Sequence, residues 1–165
     1  AALLLLIESA RGLDALGSLA AVPQVLRLVV GHIDFMADTG IACSDADERE
    51  LDPLRFAVAL RTRLARLHPA IDGVTVAFDD DARLAVDTRR ALHFGFGGKL
   101  CIHPRQVAPV HAAMAPGAEE LQWARRVVEA DARAGGAAVQ LDGRMVDLPV
   151  VLQARRTLAR AARAG

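Results

Sequence analysis

Apolar positions follow two rhythms along this chain. Short unbroken runs, Leu3-Leu4-Leu5-Leu6-Ile7 and Leu26-Arg27-Leu28-Val29-Val30-Gly31, read as buried strands, and the stretches between them carry helical spacing. The first strand, Leu3 to Ile7, precedes a predicted helix over Leu13 to Ala21 that stops at Pro23. The second, Leu26 to Gly31, leads through an acidic loop to a helix from Pro53 to Leu67. That helix has proline in its first turn and Leu54, Val58, Leu60 and Leu64 near helical spacing. A third strand is predicted at Gly73 to Phe78, before a helix opened by Asp79-Asp80-Asp81 and reaching His93. A fourth, Lys99 to Ile102, precedes Pro104, and Pro116 starts a helix repeating Leu121, Ala124, Val128 and Ala132.

Strands alternating with helices imply an α/β fold with a parallel sheet and right-handed crossovers. A complete (β/α)8 barrel takes about 250 residues, so four units amount to half of one. The C-terminal stretch breaks the alternation. Ala137 to Gln140 and Arg144 to Val146 can pair across Asp142-Gly143, and a last helix runs from Pro149 to Ala162. The expected organisation is barrel over 1–136 and, over 137–165, an arm that packs on a neighbouring surface. The chain lacks an initiator methionine and opens directly on a core strand, which predicts a longer polypeptide.

Glu8 and Asp34 each stand just past one of the first two strands, with a helix-length segment between them. Acids at the carboxyl ends of successive parallel strands suit a hard divalent cation, which takes one or two carboxylates and leaves other positions to water or substrate. Each acid has a plainer reading, Glu8 as an acid before a helix and Asp34 as a turn residue or helix cap. The pairing at two strand ends favours the metal.

Composition narrows the partners. Formal net charge is zero, so nothing electrostatic points to nucleic acid or an anionic membrane. Ala1 to Ile7 is too short to span a bilayer. Cys43 and Cys101 are isolated and lack CxxC spacing, which fits reduced thiols in the cytoplasm.

Five stretches in order carry a family resemblance: Leu6-Ile7-Glu8-Ser9-Ala10-Arg11-Gly12, Gly31-His32-Ile33-Asp34-Phe35-Met36-Ala37-Asp38-Thr39-Gly40, Ala70-Ile71-Asp72-Gly73-Val74, Gly95 to Pro104, and Asp142 to Pro149. In these the chain resembles the HpcH/HpaI aldolase/citrate lyase family, in its citrate lyase β-subunit and malyl-CoA lyase branch. The resemblance implies a TIM barrel of the phosphoenolpyruvate/pyruvate type and a lyase acting on CoA thioesters, with Mg²⁺ on Glu8 and Asp34. It also implies a CoA pocket near Ile102-His103-Pro104, a homotrimer, and a proton-carrying acid at Asp147 donated across the subunit interface. The arginine with which the family holds its substrate has no counterpart in these residues. For such a reaction Glu8 and the backbone N–H groups of Gly31, His32 and Ile33 are the substrate-binding candidates. The small-molecule partners are then a citryl-, malyl- or citramalyl-CoA thioester and the keto acid released from it. Thioesterase or malate synthase-like chemistry on the same scaffold, and a non-catalytic half-barrel, are the alternatives.

Other polar groups have structural readings. Lys99 can be cast as an imine-forming amine, but its place at the start of a strand makes a structural contact the better reading. His103 divides evenly between ligand contact and a ring bonded to loop backbone. Asp79-Asp80-Asp81 reads as a helix cap, and Ser44 to Glu50 as a solvated loop without calcium-ligand spacing. Gly95-Phe96-Gly97-Gly98 precedes a strand, which rejects a dinucleotide fingerprint. His32, His68, His93 and His111 show no ligand spacing and read as surface or loop residues. Asp147 is expected to be exposed in the isolated chain.

Overall fold

Leu3–Ile7 (β1) and Val25–Val30 (β2) lie side by side as parallel strands, in register from Leu4 with Arg27 to Ile7 with Val30. Ile71–Asp72 (β3) and Gly98–Lys99 (β4) extend the sheet in the order β1-β2-β3-β4, every pairing parallel. The computed structural model describes residues 1–44 and 47–164. They fall into two compact units that divide between Met114 and Ala115. That division concerns packing within this chain; the expected boundary at 136/137 concerns which residues belong to a barrel.

In the first unit the strands alternate with helices α1 (Ala10–Asp14), α2 (Leu16–Ala20), α3 (His32–Thr39), α4 (Asp52–Leu64), α5 (Asp81–His93) and α6 (Val107–Met114). Side chains of a strand point alternately to its two faces. Ile7, Leu28 and Val30 face the helices and pack with Leu16, Phe35, Leu51, Leu54, Val58 and Ala91. Each such fully buried aliphatic side chain contributes about 1.5–3 kcal/mol. Leu4 and Leu6 point the other way and are exposed.

Several expected elements differ. The helix expected at Leu13 begins earlier, because Ser9 caps it by accepting from the Gly12 N–H, and it comes in two pieces. α3 was not anticipated, although Gly40, left-handed at φ 71°, closes it with an N–H bond to Met36. The buried side of α4 carries Leu54, Arg55, Val58 and Thr62, whereas Leu60 and Leu64 are exposed. The strand expected over Gly73–Phe78 lies earlier instead, at Ile71–Asp72. Beyond it the carbonyls of Gly73 and Thr75 accept from the side chains of Lys99 and Gln106, which take the place of a ladder. β4 likewise stops at Lys99, since the Ile102 N–H turns to the Gln106 side chain. α5 starts as expected, with Asp80 accepting from the Arg83 N–H.

The second unit holds α7 (Ala118–Arg133), an antiparallel pair β5 (Val139–Leu141) and β6 (Arg144–Val146), and α8 (Leu148–Ala164). Asp142 and Gly143, at φ 50° and 76°, make the tight turn. Arg126 grips the Asp142 carboxylate with two bonds of 2.6 and 2.7 Å. Ala124, Val127, Val146, Val151 and Ala154 form this unit's own core. Among the described residues, no helix is long and apolar enough to cross a membrane.

Candidate active site at the strand ends

The β1–β2 register places Glu8 and Gly31 next to each other just beyond the two strands. Ile7 pairs with Val30, and the Gly31 N–H donates to the Ile7 carbonyl at 2.9 Å. A β-carbon on Gly31 would lie 2.7 Å from that of Glu8 and 3.2 Å from the Leu6 side chain, so only glycine allows this approach. α3 starts immediately afterwards. Gly31 occupies its N-cap without a side-chain bond, and the Phe35 N–H closes the first turn on the Gly31 carbonyl at 3.0 Å.

The amides of His32, Ile33 and Asp34 therefore have no acceptor within the helix, and the dipole there favours negative charge. Asp34 lies in this first turn, and both it and Glu8 are exposed. A further tie pins the region, because Asp38 on α3 accepts from the Ala10 N–H at 2.7 Å. Of the expected backbone donors, Gly31 must be withdrawn: its amide belongs to the sheet.

His32 is a second correction. It is buried, at 2% exposure, because it faces inward from the first turn of α3. Neither ring nitrogen has a hydrogen-bond partner among the described residues, and the Glu48 carboxylate stands 3.9 Å from Nε2. Burial lowers its pKa, with Glu48 and Asp72 pulling the other way.

A buried ionic cluster lies behind the strand ends. Arg55, 1% exposed, meets Asp72 at 3.3 Å and Glu48 at 2.8 Å. Arg90 reaches Glu48 at 3.0 Å, and Arg83 reaches Asp87 at 2.9 Å. Burial opposes the Arg55 charge, but Asp72 and Glu48 outweigh it and raise its pKa. Glu48 also corrects the solvated reading of the acidic loop: this residue turns inward, while Asp47, Arg49 and Glu50 stay exposed. Asp45 and Ala46 of that loop lie outside the described residues. Lys99 makes the structural contact expected of it, donating to the Gly73 carbonyl at 2.7 Å.

At the end of β4, Ile102, His103 and Pro104 are exposed. The His103 Nδ1 accepts from the Arg105 N–H at 3.2 Å, and its ring stacks on Phe78 with centroids 5.2 Å apart. Gln106, fully buried, accepts from the Ile102 and His103 amides and fixes the loop's shape. In the second unit Asp147 is half-buried where exposure was expected. It stands at the start of α8, and its carboxylate accepts from the Val150 N–H at 3.4 Å.

The donor set at the strand ends fits Mg²⁺. Among the described residues no three His, Cys, Asp or Glu side chains gather as a closed metal cage. Two exposed carboxylates at the ends of adjacent strands are oxygen donors of the kind and number Mg²⁺ takes.

A family model described as HpcH/HpaI aldolase/citrate lyase matches residues 1–104. The chain belongs to this family. A second model, a C–C bond lyase of the TIM-barrel fold, matches residues 68–165. Within the HpcH/HpaI family the chain is 35% identical over 162 residues to a citrate lyase subunit beta-like protein of Mycobacterium tuberculosis, covering 96% of this chain and 59% of that one. It is 31% identical over 164 residues to a (3S)-malyl-CoA thioesterase of Cereibacter sphaeroides, covering 94% and 55%. A solved structure of CitE from M. tuberculosis, in complex with magnesium, acetoacetate and coenzyme A, superposes with a TM-score of 0.83 at 32% identity. It covers 95% of this chain and 60% of that one. The four-stranded sheet is thus part of a TIM-barrel-type lyase fold, and the chain spans somewhat over half the length of these relatives.

Proposed function

We propose that the protein is a Mg²⁺-dependent carbon–carbon lyase that cleaves a short hydroxy-dicarboxylyl-CoA thioester into acetyl-CoA and a keto acid. The observation that carries this reading is the placement of Glu8 and Asp34 past the ends of adjacent parallel strands, flanking a helix N-terminus with free amides. The relatives support it through their names: a citrate lyase subunit beta-like protein and a CitE solved with magnesium and coenzyme A.

Glu8 and Asp34 hold the ion, which when bound supplies a Lewis acid for the substrate oxygen that gains charge. The His32 and Ile33 amides receive the carboxylate of the keto-acid half, where the α3 dipole favours it. The exposed Ile102-His103-Pro104 loop borders the thioester. Cleavage between C2 and C3 takes a proton from the 3-hydroxyl and returns one to the enolate carbon. Asp147, from the C-terminal segment of a neighbouring copy, is the proposed carrier.

The protein is assayed with citryl-, malyl- and citramalyl-CoA, with and without Mg²⁺. Metal-dependent release of acetyl-CoA and the matching keto acid in equal amounts is expected with one of the three. No cleavage of any of them in the presence of Mg²⁺ rejects the lyase. A second reading, thioester hydrolysis, is favoured by the likeness to the malyl-CoA thioesterase. It predicts free CoA and an intact hydroxy acid instead.

A further inference from the structure

Two contacts lead from β4 to the first turn of α3. The Lys99 ammonium donates to the Gly73 carbonyl at 2.7 Å in the interior. Gly73 in turn lies flat against the His32 imidazole: a β-carbon there would stand 2.0 Å from Nδ1 and 2.7 Å from Cε1. His32 is the first residue of α3 and shares its opening turn with Asp34. Among the described residues no hydrogen bond holds this ring in place, and burying an imidazole so is unfavourable. Its position is set by shape, against a residue that has no side chain.

We propose that Lys99, Gly73 and His32 form a positioning joint that sets where α3 begins, and hence where Asp34 and the free amides stand over the strand ends. The His32 ring, the Lys99 ammonium and Gly73 all lie off the substrate; only the His32 backbone amide faces it. Lys99 fixes the Gly73 carbonyl, Gly73 offers a flat surface, and the ring of His32 rests on it. α3 is held at its other end by the bond from Ala10 to Asp38, and its N-cap Gly31 is tied to β1; the joint sets how the first turn sits between these two anchors. The inference rests on Asp34 being a metal ligand for its functional consequence, but the two contacts stand without that reading.

The test uses the whole chain with Mn²⁺ as the probe, its affinity read by electron paramagnetic resonance. Amide hydrogen exchange at Phe35, whose bond to Gly31 closes the first turn, is followed without metal. Gly73→Ala pushes the ring away; it should weaken Mn²⁺ binding by roughly tenfold and speed exchange at Phe35. The pair Gly73→Ala with His32→Ala makes room for the new methyl and should restore both readouts most of the way. Lys99→Met should weaken Mn²⁺ binding in the same direction. A folded Gly73→Ala chain with unchanged exchange at Phe35 overturns the joint, as does a double variant no better than the single one. If Gly73→Ala does not fold, the double variant must fold; failure of both overturns the proposal. Asp34→Asn separates the two readings. If it leaves Mn²⁺ affinity unchanged the metal assignment fails, and the exchange data alone then decide the joint.

Discussion

Gly31 and Glu8 touch backbone to side chain: the space where a β-carbon of Gly31 would stand is already taken, 2.7 Å from the Glu8 β-carbon. Gly31→Ala must therefore move Glu8 or part the two strands. Stability should fall by about 1–3 kcal/mol, as for other overpacked sites. Mg²⁺ affinity should fall at the same time. Urea unfolding and titration calorimetry check the two effects separately, and unaltered Mg²⁺ binding would dissociate Glu8 from the metal.

Asp34 is exposed, with its carboxylate free of any protein partner among the described residues, so Asp34→Asn should hardly disturb folding. The melting temperature is expected to stay within a few degrees, a shift of about 0.5 kcal/mol or less. Mg²⁺-dependent turnover should be lost. A variant that keeps its turnover would leave Asp34 only its place in the first helical turn.

The parts of this fold that are local were legible in the chain. β1 and β2 are continuous apolar runs, and the acids after them follow directly from where those runs end. The polar interior was not legible, because an arginine or histidine is buried only when a distant partner or surface receives it. Arg55 did carry a signal: it lies four residues after Leu51 and three before Val58, on the buried side of α4. His32 carried none, since nothing in its own segment announces that Gly73 will lie against it. β3 and β4 were misplaced for a related reason. Just past them the carbonyls of Gly73 and Thr75 and the amide of Ile102 bond to the side chains of Lys99 and Gln106, so the apolar alternation of Val74, Val76 and Phe78 continues past the real strand to the exposed Val76 and Phe78.

Arg55 and Asp72 are both buried to within 1%. Removing Arg55 takes away the ion-pair partner of the buried Asp72 carboxylate, which costs about 3–5 kcal/mol. Arg55→Met should be destabilising on this scale in urea unfolding. Combining it with Asp72→Leu should recover much of the loss. Equal stabilities of the single and double variants would show that Asp72 does not depend on Arg55.

Lys99 gives a pH dependence of known sign. Burial holds its ammonium below the usual lysine pKa, opposed by Asp72 and Asp87. Between the folded value and the usual one, the unfolded chain keeps a proton that the folded chain has released. Stability should therefore rise with pH across that window. Lys99→Met should lack this rise in urea unfolding at a series of alkaline pH values. As the only lysine in the chain, Lys99 is also the single side-chain signal in a ¹⁵N-lysine spectrum, where its titration can be read directly.

Asp147 caps α8 weakly and is half-buried. Asp147→Asn keeps its shape and its ability to accept from Val150. If the residue carries the proton, turnover should fall far more than substrate binding. An unchanged turnover number would leave Asp147 as a helix cap.

The contact between Gly73 and His32 also dictates an order of events in descent. A lineage carrying this imidazole gains a side chain at position 73 only by displacing the ring or first shrinking position 32, because a methyl would already stand 2.0 Å from Nδ1. The reverse path is open at its first step, since alanine at 32 leaves 73 free to vary. Two positions far apart in the chain, neither facing solvent, thus share one allowance of volume. Relatives that have lost the ring at 32 are where a larger residue at 73 should first be found.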